Sequence, residues 1–443
     1  MSLLPTCIRV VCRSLVLLLL LTITLALPAH AELDQSKVKP FVAPVSDAWR
    51  AALPADPVKA TDAYLARIDP AAKAKSDAYY EGGYWLQLWN FLLGLAIAWL
   101  LLASRWSARV RSWAERLARR WPLQALLYAL FYIVVSFVLS LPLTIYQGFV
   151  REHQYGFATQ TFWPWFGEQI TALAVNAVIG SVALLAVYTV IRRAPRTWWV
   201  WGTVVSIGLL AFVVLISPLY IDPLFNTYKP LPPGPVRDKI LSLARANSIP
   251  ATDVYEFDAS RQTTRISANV SGLGGTTAIR LNDNLLLRTS QPEIEGVMAH
   301  EMGHYVLNHI YKMLVMFGVL LAAGFAFVSW AAERVIARVG ARWQLRGVSD
   351  LAALPLLAAL LSMFMFAATP IVNTIIRTQE AEADIFGINA SRQPDGFAEA
   401  DLKLVEYRKA DPGPIEEFLF YDHPAPRKRI EMAMRWKAEN LPR

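Results

Sequence analysis

The chain has 443 residues, a hydrophobic fraction of 55%, a charged fraction of only 18% and a formal net charge of +8. Soluble globular domains carry about a quarter charged residues, so this composition argues for membrane spans. The positive excess sits in short arginine clusters between apolar runs, a mark of membrane topology rather than of nucleic-acid binding. Cys7 and Cys12 are the only cysteines, which argues against a disulfide framework and against a cysteine-held metal.

The N-terminus reads as a secretory signal. Arg9 and Arg13 supply the positive region, residues 14–27 the apolar stretch, and Ala29-His30-Ala31 a small-x-small cleavage site. The alternative is an uncleaved first transmembrane helix. Residues 32–83 are polar and helix-compatible. Transmembrane helices are expected at 84–103, 122–146, 170–191, 198–219, 310–331 and 350–375, each near the ~20 apolar residues that cross a bilayer. Loops 104–121, 192–197 and 332–349 hold arginine clusters, whereas 147–169 is nearly free of positive charge. The arginine-rich loops are therefore assigned to the cytoplasm. Residues 32–83, 147–169, 220–309 and 376–443 then lie outside it, in agreement with the signal-like N-terminus.

The segment 220–309 opens with Pro223, Pro230, Pro232, Pro233 and Pro235, read as a rigid connector. An amphipathic helix is expected at 236–247. VYEFD, RISANVSG and TAIRLND read as three short strands between turn residues. PEIEGVMAHEMGHYVLNHIY reads as a helix that continues into the span at 310–331.

That helix holds His300-Glu301-Met302-Gly303-His304, an H-E-x-x-H pattern. On a helix the two histidines lie one turn apart on one face and can reach one metal ion, while Glu301 can act as general base toward water. A catalytic zinc needs a third protein ligand and an open fourth position. His309, nine residues past His300, is expected about half a turn away and outside the site. That leaves His423 or a carboxylate. Glu380 and Asp384 share one helix face, whereas Glu382 points elsewhere. Two spans separate His304 from Glu380, so the chain returns to the side it left. An antiparallel hairpin with an unbroken helix at each end is expected to bring His300, His304 and Glu380 together.

The set H-E-x-x-H, then E-x-x-x-D after a helical pair, resembles the M48 metallopeptidases, specifically their Ste24-type CAAX prenyl protease branch. The stretches IDPLFNTYKPLPPGPVRDKI (221–240), SANVSGLGGTTAIRLNDNLL (267–286) and HPAPRKRI (423–430) extend the resemblance over much of the chain. It implies one zinc ion per chain bound by His300, His304 and Glu380, with Glu301 as the base. It implies that Asp384 is a proton donor or the partner of a ligand histidine, and the latter suits its position. His423 would approach the metal and help to stabilise an oxyanion, with Arg429 a structural or assisting group on the substrate side. The segment Ser267-Ala268-Asn269 stands where the family usually has Asn-Ala-Tyr or Asn-Ala-Phe. It is expected to be an edge strand that pairs with substrate backbone, which tolerates such a change.

The expected fold is mainly α: a polytopic membrane helical bundle with a small β-sheet and an HExxH catalytic region. Residues 84–219 would form four transmembrane helices, and 220–443 the peptidase region with its hairpin at 310–375. The expected function is zinc-dependent hydrolysis of peptide bonds in membrane or envelope proteins, at a bacterial inner membrane, with the site facing the periplasm. The eukaryotic CAAX enzymes differ, since their site is reached from the cytosol. A non-catalytic membrane chaperone with the same fold is the main alternative, and the intact Glu301 gives it no support. A transporter is disfavoured by the scarcity of Lys, Asp and Glu within the spans.

Overall fold

The computed structural model describes residues 41–271 and 277–441; the signal-like residues 1–31 lie outside them. In chain order the helices begin with α1 (Asp47–Ala51), α2 (Pro57–Leu65), α3 (Pro70–Ala103), α4 (Trp106–Leu117), α5 (Trp121–Ile145), α6 (Arg151–Tyr155), α7 (Phe162–Arg193) and α8 (Trp198–Ile216). The extramembrane insertion follows: β1 (Tyr228–Pro230), α9 (Pro235–Ala246), β2 (Val254–Phe257), β3 (Ala268–Ser271), β4 (Ala278–Asn282), α10 (Asp283–Arg288) and α11 (Gln291–Val306). Last come α12 (His309–Trp343), α13 (Leu354–Ala367), α14 (Thr369–Ser391), α15 (Pro394–Leu404), α16 (Pro414–Phe420) and α17 (Pro426–Asn440).

Among the described residues, five helical stretches are long and apolar enough to cross a bilayer: Pro70–Ala103, Trp121–Tyr155, Phe162–Arg193, Trp198–Leu224 and His309–Trp343. The pair Leu351–Ala367 and Thr369–Ser391 makes a sixth if counted as one broken span. Each expected window overlaps one of these, and the chain is a multi-pass membrane protein. Local chemistry sets the starts. Asp69 accepts the N–H groups of Ala71 and Ala72 at 2.9 Å, and Pro70 follows it in the first turn of α3. Trp89, Val178, Val204 and Leu210 stay exposed on these helices, as a hydrocarbon solvent requires.

The arginine-rich segments meet at one end of the bundle. Arg105 Nε donates to Arg342 O, Arg111 pairs with Asp350 at 2.5 Å, and the Arg192 guanidinium lies 4.5 Å from the centre of the Trp121 ring. The region read as loop 104–121 is largely helical, as α4. The other end of α3 reaches the extramembrane part, where Ser76 donates to Glu406 O and Tyr84 to Glu416.

That part has two cores. One joins the sheet to α9 and α11 through Ile240, Ile279, Leu281, Met298 and Met302. The other joins residues 42–68 to α15 and α17 through Tyr64, Phe397, Leu402 and Ile430. The sheet order is β1-β2-β4-β3, with β2 and β4 parallel and the outer pairs antiparallel. β3 is an edge strand with β4 as its one partner. β1 lies inside the proline run read as a connector; Pro230 is tolerated because the strand is an edge.

One of the two expected continuities fails. The H-E-x-x-H helix does not run on into the membrane: α11 ends at Val306, and Asn308 takes a left-handed conformation (φ 58°) before α12 starts at His309. Asparagine is among the few residues that accept this conformation cheaply. The other holds, since the helix Thr369–Ser391 carries Glu380 unbroken out of the second arm, but that arm is itself broken further back. It bends by 56° at Ala368, where Pro370 removes an N–H and crowds the preceding turn.

Candidate metal centre

α11 and α14 cross at two glycines. A Cβ on Gly303 would lie 3.2 Å from Ala383 Cα, and one on Gly387 only 2.8 Å from His300 N. Without side chains there, the helix backbones touch. That contact carries Glu380, two turns before Gly387, to the face that holds His300 and His304.

The three side chains converge. His300 Nε2 and His304 Nε2 are 3.2 Å apart. Glu380 Oε2 is 3.3 Å from His300 Nε2, and Glu380 Oε1 is 3.5 Å from His304 Nε2. Ligands at about 2.0–2.1 Å from a tetrahedral zinc sit about 3.3–3.4 Å from one another, so these separations fit such an ion. Glu380 Oε2 is also buried without a well-aligned hydrogen bond, although His300 Nε2 and His423 Nε2 lie 3.3 and 3.2 Å away, and a cation there would satisfy it. Burial pulls the His300 imidazole down, but Asp384 and Glu380 outweigh it and lift it to about 10; the cluster favours positive charge. Burial holds His304 down at about 4, in the neutral form a metal ligand needs.

The remaining groups surround this cluster. His300 Nδ1 lies 2.7 Å from Asp384 Oδ1, though bent away from ideal hydrogen-bond alignment. Arg429 clamps Asp384 through Nε (2.8 Å) and Nη2 (2.5 Å), and its Nη1 reaches Asp401 at 2.6 Å. Arg429, expected on the substrate side, lines the cavity beside the cluster but is buried and spends its donors on these two carboxylates. His423 Nε2 points at Glu380 Oε2 (3.2 Å), and Asp422 holds its Nδ1 at 2.8 Å. Burial pushes the Glu301 carboxyl up to about 7.

A cavity of about 510 Å³ opens beside the cluster, and His300, Glu301, His423, Ser267 and Ala268 line it. Asn269, opposite Arg280 in the sheet, does not. The strand β3 thus runs along the cavity with its outer edge unpaired among the described strands. Sequence reasoning missed Asp401, Asp422 and the Glu382–His309 pair. It set His309 outside the site on an unbroken helical period; the turn at Leu307–Asn308 rephases α12 and brings His309 Nδ1 to 2.9 Å from His304 Nδ1.

Comparison with known proteins shows the family of the chain. Residues 58–227 match the family described as CAAX prenyl protease N-terminal, five membrane helices, and residues 230–437 match peptidase family M48. A Bacillus subtilis protein described as uncharacterized metalloprotease YhfN is 31% identical over 85% of this chain and 89% of its own. A rice CAAX prenyl protease 1 homolog is 27% identical over 66% of this chain and 69% of its own. The crystal structure of S. mikatae Ste24p shares the fold, with a TM-score of 0.71 and 23% identity, covering 83% of this chain and 89% of that one. The chain belongs to peptidase family M48, and it is a multi-pass membrane metalloprotease related to Ste24 and the CAAX prenyl proteases.

Proposed function

We propose that this protein is a zinc endopeptidase of a bacterial inner membrane, with its active site facing the periplasm, acting on membrane-associated or envelope proteins. The observation that carries the reading is the convergence of His300, His304 and Glu380 at tetrahedral spacing beside a lined cavity. These three side chains would hold the zinc ion. When bound, zinc would supply Lewis-acid activation of water and of the scissile carbonyl.

The protein's own groups do the rest. Glu301 takes the proton of the attacking water and returns it to the leaving amine, and a raised carboxyl suits both transfers. Ser267 is already bonded to Asn282, so by the alternation of the ladder Ala268 turns its N–H and C=O to the open edge of β3, where an extended substrate would add as a further strand. Asp422 holds the Nδ1 of His423 so that Nε2 points into the cluster, and the doubly protonated ring would donate from Nε2 to the oxygen that gains charge. Asp384 orients His300, and the buried Arg429 fixes Asp384.

The facing of the site rests on the two ends of the bundle. The arginines gather at one, and the cavity lies at the other. The region 84–219 would serve as a membrane bundle, and 220–443 as the peptidase region. A phosphatase or fluorescent-protein fusion after Arg443 tests the facing: the fusion that works only outside the cytoplasm should be active. Activity of the cytoplasmic-type reporter would contradict the assignment.

A further inference from the structure

The two histidines of the cluster are held differently. Behind His300 stand Asp384, Arg429 and Asp401, all buried. Behind His304 stands a second chain that no expectation included. His304 Nδ1 lies 2.9 Å from His309 Nδ1, His309 Nε2 lies 3.1 Å from Glu382 Oε2, and Lys312 Nζ donates to the same oxygen at 2.6 Å. His309 is 1% exposed, whereas Glu382 and Lys312 reach solvent.

The direction of these bonds follows from the end of the chain. A carboxylate only accepts, so Glu382 requires the proton of a neutral His309 to sit on Nε2. His309 Nδ1 is then a bare acceptor. It in turn requires the proton of His304 on Nδ1, which leaves His304 Nε2 with a free lone pair. That atom is the one facing His300 and Glu380. The opposite order would put a proton on His304 Nε2, pointing into the cluster, and would set the bare Nε2 of His309 against a carboxylate. The first order satisfies every group; the second blocks the metal position and leaves two acceptors face to face.

The geometry points to His309, held by Glu382, as a positioning residue that fixes the coordinating tautomer of His304. The inference rests on the zinc reading above. His309 does this work because α11 stops at Val306 and the left-handed Asn308 turns the next helix back. The two arms also differ in setting. The one behind His300 is closed in the core, whereas the one behind His304 ends on an ion pair at the surface.

The test uses the full chain in detergent, with zinc affinity read by competition against a chelator and the site geometry read from the visible spectrum of the cobalt-substituted protein. His309→Leu removes the acceptor, and zinc affinity should fall about 10–100-fold with an altered cobalt spectrum. His309→Asn restores an acceptor oxygen near the Nδ1 position and should recover affinity to within about fivefold of wild type. Affinity of His309→Leu within about twofold of wild type, with an unchanged spectrum, overturns the inference. Should His309→Leu fail to fold, the surface variant Glu382→Ala decides. A loss of about threefold or more supports the role, and a smaller one overturns it. Failure of the zinc reading itself looks different: His304→Ala would then bind zinc as wild type does, or wild type would bind none.

Discussion

Glu301→Gln is expected to abolish peptide hydrolysis while leaving metal content at the wild-type level. Glutamine keeps the size of the side chain but cannot accept a proton at neutral pH. A positioned general base contributes about 10²–10⁴-fold, so a loss of about 10³-fold corresponds to about 4 kcal/mol of barrier. The measurement is kcat on an unfolded reporter protein, with zinc per chain determined on the same sample. Full turnover in the variant would remove Glu301 from the chemistry. In wild type the same group sets the acid limb of activity. Burial raises it from 4.5 to about 7, a bound cation pulls it back, and the base works only when ionised. Activity should therefore fall as pH drops through the interval between those values, and an enzyme equally active well below it would contradict the role.

Gly387→Ala should destabilise the protein and loosen the candidate metal site at once. Its Cβ would sit 2.8 Å from His300 N, 2.9 Å from His300 Cα and 3.2 Å from His300 Cβ. Two of these three atoms are backbone and cannot rotate away. Overpacking of this kind costs about 1–3 kcal/mol, and the relief open to the protein is to part α11 from α14. Glu380 would then swing away from His300 and His304. The expected result is a lower melting temperature together with weaker zinc binding. A control at Gly83, where an added Cβ meets nothing within 4 Å, should leave both unchanged. Wild-type stability and affinity in Gly387→Ala would show that close contact of the two helices does not set the site.

The sequence announced the membrane helices, because ~20-residue apolar runs leave few alternatives. It announced the cluster because H-E-x-x-H forces two imidazoles onto one face, and because an even number of crossings returns Glu380 to their side. The details that escaped are those set by single residues and by distance along the chain. Asn308 breaks a helix that periodicity carried through, and with that break His309 moves from the far face to the back of His304. Pro370 bends the second arm, although proline two residues into a helix is a legible stop signal. Tyr228–Pro230 was read as connector since proline argues against a strand, but an edge has no use for the missing N–H. The docking of residues 42–68 on the C-terminal helices has no local signal. Tyr64 donates to Asp395 across 331 residues and Arg67 pairs with Glu399 across 332. Asp401 was equally silent, since it acts on Arg429, which only the fold brings near, whereas Asp422 stands beside His423 in the sequence and its contact depends on how the two side chains turn.

The central claim is that one zinc ion is held by two histidines from α11 and one glutamate from α14. Zinc content and zinc-edge X-ray absorption on the purified full chain, with Glu380→Ala alongside, test it most directly. The account predicts one zinc per wild-type chain, nitrogen and oxygen neighbours at about 2.0–2.1 Å without sulfur, and loss of the metal in Glu380→Ala. A sulfur shell at about 2.3 Å, or full zinc occupancy with unchanged scattering in Glu380→Ala, would contradict it.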